Sequence, residues 1–174
     1  MSTNRHHKRD SAPQLHLLYA PQAGAYEGTL HDLGVCLVDI SVQQLIDCGH
    51  QKDGCATGTP SAAILDTQRL EGEQDYLYED VKRECRSDAS KGLARFPFIL
   101  TWSEVNTTSL MQGWFGPIAV LIDASSDSFK NYKLVVYYNS DCLEAKEDLK
   151  HVKLLLGYGV NPKEGDFWIL ASGR

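Results

Sequence analysis

Helical and strand patterns occupy different halves of this chain, and this separation limits its fold more than any other feature. In the first half, small and apolar residues recur at helical spacing from Ala20 to Leu33. Gly34 then marks a helix end. In the second half, the run from Ile118 to Asp123 has the length and branched side chains of a buried strand. Helices followed by strands, without alternation, predict an α+β fold.

The remaining elements follow the same division. Ser41 is a good N-cap for a helix of one or two turns before Cys48. The Gly-rich residues 49–58 predict a loop, and residues 72–92 alternate charge and tyrosine without periodicity, which predicts an extended surface segment. Further helical stretches are predicted over 61–70 and 107–114, and further strands over Lys133 to Tyr138, His151 to Gly157 and Asp166 to Leu170.

Charge and hydropathy exclude two kinds of partner. The chain has 23 acidic and 17 basic residues and a formal net charge of -6, and beyond its N-terminal tail it lacks the clustered Lys and Arg that phosphate contacts require. We therefore expect no nucleic-acid partner. No apolar run approaches the roughly 18 residues of a membrane helix, so we expect no membrane span. The pattern does not predict an oligomeric state.

The N-terminus is polar and carries the one basic cluster, from Arg5 to Arg9. We predict a disordered tail over residues 1–14. This tail lacks the apolar stretch of a secretory signal. The compartment is therefore not predicted by the N-terminus.

Two motifs in the first half carry a resemblance to a known family. Residues 41–48 read Ser-Val-Gln-Gln-Leu-Ile-Asp-Cys, and residues 54–58 read Gly-Cys-Ala-Thr-Gly. This pair resembles the papain family of cysteine peptidases, which carries a Ser-x-Gln-x-Leu-x-Asp-Cys helix and then a Gly-Cys-Asn-Gly-Gly loop at about this spacing. The resemblance is specific because both motifs and their separation agree.

The second half resembles the same family independently. Residues 116–124, Gly-Pro-Ile-Ala-Val-Leu-Ile-Asp-Ala, are similar to one of its strands, and residues 129–142 are similar to its next strand and cysteine in the cathepsin L branch. Residues 149–159 resemble the segment of the catalytic histidine, and residues 166–170 the strand that leads to the catalytic asparagine. The motifs follow the family's order from Gly24 onward.

The resemblance implies a papain-like two-lobed fold. After the tail, we expect one peptidase domain over residues 15–174, with a helical left lobe over 15–95 and a β-barrel-like right lobe over 96–174. Segments that the family has at both ends are not matched, so we expect the fold to be incomplete at both ends. No cofactor is implied.

The family's nucleophile position does not hold a cysteine. A thiol peptidase needs a cysteine made nucleophilic by an imidazole, usually at a helix N-terminus. Counting back from Gly24-Ala-Tyr-Glu-Gly28, this position falls on Leu17, and the oxyanion-hole glutamine falls on Ser11. The first cysteine, Cys36, lies more than ~25 Å further along a straight helix, so it is not a displaced nucleophile.

The general-base position of the family falls on His151, and the asparagine that orients it falls on Ser172. Lys150 and Val152 flank His151, where the family commonly has an aspartate and a small residue. We therefore predict an inactive peptidase relative that retains at most the binding of a peptide or protein. The substrate-binding positions implied by the family are Gly58, Thr59, Pro60 and Leu121.

The resemblance also assigns the cysteines and the compartment. It pairs Cys48 with Cys85 and leaves Cys55 and Cys142 without their family partners, which agrees with an odd total of five. A lysosomal or extracellular location is implied by the family. Asn106 begins an Asn-Thr-Thr acceptor sequon for N-glycosylation, which is consistent with such a location.

Three alternatives stay open at this point. The chain could be a residual hydrolase that uses His151 with Ser172, or a truncated product of an active cathepsin-like peptidase. It could also be a zinc module, because four residues have suitable donor atoms, although their spacing fits no common structural site. These four are Cys48, His50, Cys55 and Cys85.

Overall fold

The computed structural model describes residues 12–49, 69–93, 116–133, 136–143, 145, 148–149 and 151–171. Within these ranges the fold is mixed helix and sheet, as predicted. Two compact units divide the chain, one built from residues 1–19 and 41–100 and the other from 20–40 and 101–174. The described elements, in chain order, are helix α1 (Ala12–Asp32), helix α2 (Val42–Cys48), strand β1 (Ile118–Ile122), helix α3 (Asp127–Lys130), strand β2 (His151–Asn161) and strand β3 (Gly165–Ala171).

Helix α1 begins eight residues before the predicted Ala20 and continues through Pro21, which lacks the N–H of one helical hydrogen bond. Its start at Ala12 lies inside the predicted 1–14 tail. The lobes over 15–95 and 96–174 stay a prediction; in the structure, residues 20–40 group with residues 101–174. The C-terminal part of α1, which belongs to the second unit, packs closely against it because Gly24 lies next to Leu154 and Gly28 lies next to Pro117.

Of the helices in the described ranges, none has both the length and the apolarity to cross a bilayer.

In the first unit, α2 is the short capped helix that the sequence predicts. The Ser41 hydroxyl accepts a hydrogen bond from the backbone N–H of Gln44 at 3.0 Å, and this satisfies one otherwise unpaired N–H of the first turn. The apolar residues Leu45 and Ile46 are fully buried. Gln43 and Gln44 are equally buried, so α2 packs with polar as well as apolar side chains.

Residues 72–92 form no helix or strand ladder, as predicted, and polar side chains of α2 hold them in place. Gln43 donates to the carbonyl of Val81 at 2.8 Å and accepts from the N–H of Glu79 at 2.9 Å. Asp47 accepts from the N–H of Arg83 at 2.7 Å. Side-chain partners therefore replace the backbone ladder that this segment lacks.

The second unit contains an antiparallel sheet in the order β1-β2-β3. Ile122 pairs with His151 and Tyr158 pairs with Trp168, and the register shifts between Leu155 and Gly157. All three strands were predicted, and β2 extends four residues beyond its predicted end. Among the described residues of this unit, the buried apolar ones are Ala23, Tyr26, Leu30, Ile40, Val152 and Leu155.

The strand predicted over Lys133 to Tyr138 is wrong for its described residues, 133 and 136–138. The Tyr137 ring packs edge-on against Phe129 at 5.2 Å, and its hydroxyl lies 2.8 Å from that of Ser128. The segment thus uses its aromatic residues in contacts with α3 rather than in a sheet. The helical stretch predicted over 61–70 is not helical at residues 69–70, and its remainder, like the 107–114 stretch, lies outside the described residues.

Candidate active site

The residue at the nucleophile position, Leu17, lies in the second turn of α1 with 40% of its side chain exposed. It is the sixth residue of the helix, about 7.5 Å along the axis from Ala12 at 1.5 Å per residue. The favourable field of a helix N-terminus fades within the first turn. Two properties that generate a reactive thiolate are therefore absent at Leu17: the sulfur atom and the close helix terminus.

The residue at the general-base position, His151, is the first residue of β2 and is half-buried. Burial lowers the pKa of its imidazole below the ordinary value of 6.5, and the nearby Lys153 ammonium lowers it further. Both effects favour the neutral imidazole over the imidazolium. A thiolate–imidazolium pair requires the opposite, since a neighbouring anion raises the pKa of histidine.

Among the predicted substrate-binding positions, the structure describes Leu121 alone. It lies in β1, half-exposed, and pairs with the buried Val152 next to His151. Leu121 and His151 thus lie on neighbouring strands of one sheet. The other predicted positions fall outside the described residues: Ser11, Gly58, Thr59, Pro60, Asn106 and Ser172.

Cys48 and Cys85 form the disulfide that the resemblance implies, with an S–S distance of 2.08 Å. This bond uses two of the four donors of the zinc hypothesis, so that hypothesis is wrong for these residues. No metal-binding group of three His, Cys, Asp or Glu side chains occurs within the described part of the chain. Cys36 is exposed and forms no disulfide, Cys142 is exposed, and Cys55 lies outside the described residues.

A buried polar network around Asp47 was not predicted. Its carboxylate accepts from Gln43 at 2.9 Å and from the Tyr76 hydroxyl at 2.8 Å, and an Arg86 nitrogen lies 3.7 Å away. The Arg86 guanidinium also lies over the Tyr76 ring at 5.0 Å. Burial is the main reason that the pKa of Tyr76 is raised. The signal in the sequence is the polar Gln-Gln-x-x-Asp pattern in a helix of seven residues, which requires buried partners.

A second part of this network centres on Glu71, which is 2% exposed. Its carboxylate accepts from the Gln44 amide at 3.1 Å and from the N–H of Asp88 at 2.8 Å, and its own N–H donates to Gln44 at 2.7 Å. Glu71 therefore ties α2 to the end of the irregular segment. These contacts support the first unit and contain no nucleophile paired with a base.

Comparison with known proteins gives a consistent result. The family model described as "Papain family cysteine protease" matches residues 22–172, a range that begins after Leu17. "Cathepsin L-like" from Caenorhabditis elegans is 33% identical over 86% of this chain and 46% of its own length. "Cathepsin 7" from Rattus norvegicus is 36% identical over 79% and 44%. "Digestive cysteine proteinase 3" from Homarus americanus is 34% identical over 86% and 47%.

Solved structures agree with these relatives. Digestive procathepsin L 3 of Tenebrio molitor larval midgut has a TM-score of 0.72 and 28% identity, and it covers 92% of this chain and 52% of that one. Procathepsin L2 from the same midgut has a TM-score of 0.73 and 28% identity, with coverage of 88% and 50%. The chain spans about half the length of the curated relatives that it matches.

Proposed function

The chain belongs to the papain family of cysteine proteases, and from this premise we propose that it is a pseudopeptidase that binds extended peptides or a partner protein without cleaving them. The observation that carries the proposal is Leu17, since leucine has no atom that can attack a carbonyl. The cysteine nearest in sequence is Cys36, 19 residues away at an exposed position beyond the end of α1.

The electrostatics of His151 support the same proposal. In an active thiol peptidase the histidine takes the proton of the cysteine and is held as an imidazolium beside the thiolate. Here burial and Lys153 lower the pKa of His151 and favour the neutral form.

Peptide binding is the part of the family function that these changes leave possible. Extended peptides bind through backbone hydrogen bonds and apolar pockets, neither of which requires a nucleophile. Leu121 offers half-exposed apolar surface in β1, beside the strand of His151. Gly58, Thr59 and Pro60 are proposed to contribute the remaining contacts.

A residual hydrolase is the second candidate, because His151 stands at the general-base position of the family and a hydroxyl residue, Ser172, stands at its asparagine position. Only a neutral imidazole can act as a general base. In this alternative, His151 takes the proton of the Ser172 hydroxyl as that oxygen attacks the peptide carbonyl carbon, and the imidazolium gives the proton to the leaving amine as the C–N bond breaks. Water would then hydrolyse the acyl-serine ester and restore the hydroxyl. Its hydrolysis rate would rise with pH through the lowered pKa of His151 and would be lost in Ser172→Ala.

We further propose a lysosomal or extracellular location. The Cys48–Cys85 disulfide supports it, since stable disulfides form mainly in oxidising compartments. Expression in secretory cells should attach a glycan at Asn106. Deglycosylation should then lower the mass of the wild-type chain and leave Asn106→Gln unchanged, whereas an unmodified wild type would contradict this location.

Peptide binding is tested by fluorescence anisotropy with a labelled library of extended apolar hexapeptides. We expect saturable binding, with each bound peptide recovered at its original mass after prolonged incubation. Leu121→Asp should weaken binding at least tenfold, whereas Leu143→Asp, at a position that is 48% exposed, should not. Peptides recovered as fragments, or equal binding by both variants, would contradict the proposal.

A further inference from the structure

One face of the sheet carries an imidazole and an ammonium side by side. His151 and Lys153 are separated by one residue in β2, so their side chains lie on the same face, with about 7 Å between their Cα atoms at ~3.4 Å per residue. Both residues are half-buried. Burial, and then the charge of the Lys153 ammonium, lowers the pKa of His151. The two basic groups are therefore close enough for the charge of one to act on the other.

The residues opposite this pair in β1 are apolar. Ile122 pairs with His151 and Val120 pairs with Lys153, and directly opposite residues of two strands share a face. Neither aliphatic side chain offers a charge or a hydrogen bond. None of the ion pairs among the described residues includes Lys153. A half-buried ammonium in such surroundings favours an anion, because burial strengthens electrostatic attraction.

The acidic residue closest to the pair along β1 is Asp123, and it is engaged elsewhere. Its carboxylate accepts from the N–H of Ser125 at 2.8 Å and from the N–H of Leu143 at 3.1 Å. Of the charged groups in the described ranges, Lys153 is the one that acts on His151. Asp123 therefore does not neutralise the pair.

The described residues of α1 and β3 bring no acidic side chain to this face. Helix α1 packs against the opposite face, since a methyl group of Leu154 lies next to Gly24 and successive strand residues face opposite sides. The acidic residues of this part of α1, Glu27 and Asp32, lie on that other side. Asp166 is at the far end of the ladder between β2 and β3. The face of the pair is thus basic and otherwise apolar.

We propose that the imidazolium of His151 and the ammonium of Lys153 together bind one carboxylate of a peptide ligand. This carboxylate is either the C-terminus of the peptide or an Asp or Glu side chain. Its two oxygens accept one hydrogen bond from each group, and such charge-assisted bonds are about twice as strong as neutral ones. The identity of the ligand rests on the peptide binding proposed above, whereas the basic pair itself does not.

Proton binding and carboxylate binding are coupled at this pair. A bound carboxylate stabilises the imidazolium, which burial and Lys153 disfavour in the free chain. By linkage, the pKa of His151 rises when a carboxylate binds, and the affinity rises as the pH falls through that pKa. Below about pH 4 the carboxylate itself is protonated and the attraction is lost. We therefore expect the tightest binding at mildly acidic pH.

An NMR titration of His151 tests the pair without any peptide. Sodium acetate should raise the pKa of His151 relative to sodium chloride at the same ionic strength. Lys153→Arg should keep this response because it retains the charge, whereas Lys153→Met should lose most of it. Lys163→Met, at an exposed position between β2 and β3, should respond like the wild type. Equal pKa values in acetate and chloride would overturn the proposal.

Fluorescence anisotropy with one apolar hexapeptide in four forms identifies the source of the carboxylate. Each form carries a neutral fluorophore and ends in a free acid, in an amide, or in an amide with one internal Glu or Lys. At low salt, one or both acidic forms should bind about three- to tenfold tighter than the neutral amide. Added salt should reduce this difference.

Charge reversal gives the sharpest control for the peptide experiment. Lys153→Glu should remove the preference for the acidic forms and favour the peptide with an internal Lys. Lys163→Glu makes the same change in net charge and should keep the wild-type preference. Loss of the preference in both variants would assign it to net charge and overturn the proposal. Circular dichroism of both variants confirms that they are folded.

The two experiments separate this inference from peptide binding itself. Equal affinities of the acidic and neutral forms would overturn the carboxylate pair and leave the proposed peptide binding intact. If none of the four forms binds, the proposed peptide binding fails. The response of His151 to acetate then upholds or overturns the carboxylate pair by itself.

Discussion

Gly28 in α1 lies so close to Pro117 that a Cβ atom on Gly28 would come within 2.5 Å of Cγ of the proline ring. A real Cβ never approaches a ring atom so closely. One turn earlier, a Cβ on Gly24 would lie 2.9 Å from a methyl carbon of Leu154, whose flexible side chain can move away. In the second unit, the side of α1 that carries Gly24 and Gly28 therefore packs against the sheet region, and the rigid ring of Pro117 is the contact that cannot move away.

Gly28→Ala should destabilise the protein. Alanine gains about 1 kcal/mol over glycine in a helix, whereas overpacking a tight contact costs about 1–3 kcal/mol. We expect a net loss of up to about 2 kcal/mol in the free energy of unfolding, measured with urea. Gly157→Ala is the matched control, because nothing lies within 4 Å of its added Cβ. Equal stabilities of the two variants would contradict the packing.

Tyr76→Phe should cost about 1–3 kcal/mol of unfolding free energy, because it removes the hydroxyl that donates to buried Asp47 and accepts from the N–H of Arg86. Tyr78→Phe provides the control, since Tyr78 bonds to the exposed Asp80. That variant should change stability by less than about 0.5 kcal/mol. Chemical denaturation of both variants measures the difference, and a smaller loss for Tyr76→Phe than for Tyr78→Phe would rule out the network.

Removal of the disulfide by Cys48→Ser with Cys85→Ser should lower the free energy of unfolding by about 3–4 kcal/mol, because the bond closes a loop of 37 residues in the unfolded chain. Cys36→Ser should have little effect, since Cys36 is exposed and forms no disulfide. A peptide mass map of the oxidised protein should contain the Cys48–Cys85 cross-link. Its absence would count against the whole assignment of family motifs.

The pKa of His151 should lie below 6.5 in an NMR titration, and Lys153→Met should raise it towards that value. Because the folded chain binds this proton more weakly than the unfolded chain, His151 lowers stability as the pH falls below 6.5 and has no such effect above it. His151→Gln should therefore lose less stability than the wild type between neutral and acidic pH. A pKa above 6.5 would indicate an anionic partner and contradict the surroundings described for His151, in which burial and Lys153 disfavour the imidazolium.

Elements with strong local signals could be predicted from the sequence. Ser41 caps α2 within its own first turn, and the branched run from Ile118 forms β1 where expected. The start of α1 could not be predicted, because Pro21 normally marks a helix boundary and the polar N-terminus gives no helical periodicity. The strand predicted over 133–138 is absent at its described residues, 133 and 136–138, although their side chains suit a strand. Tyr137 instead contacts Phe129 and Ser128, which no periodicity in the sequence reveals.

The candidate site shows the same limit. The identities of Leu17 and His151 follow from counting along family motifs. The low pKa of His151 does not, since it results from burial beside β1 as well as from Lys153. The grouping of residues 20–40 with the strands could not be predicted either. It depends on contacts between distant residues, such as Gly28 and Pro117, which are 89 positions apart in sequence.

The proposed inactivity is tested most directly by the turnover of dipeptide fluorogenic substrates, measured for the purified chain, its His151→Ala variant and an active family member at equal concentration. We expect the wild type and His151→Ala to give the same background rate, while the active relative cleaves the substrate. Turnover by the wild type that disappears in His151→Ala would contradict it and establish the chain as a working hydrolase.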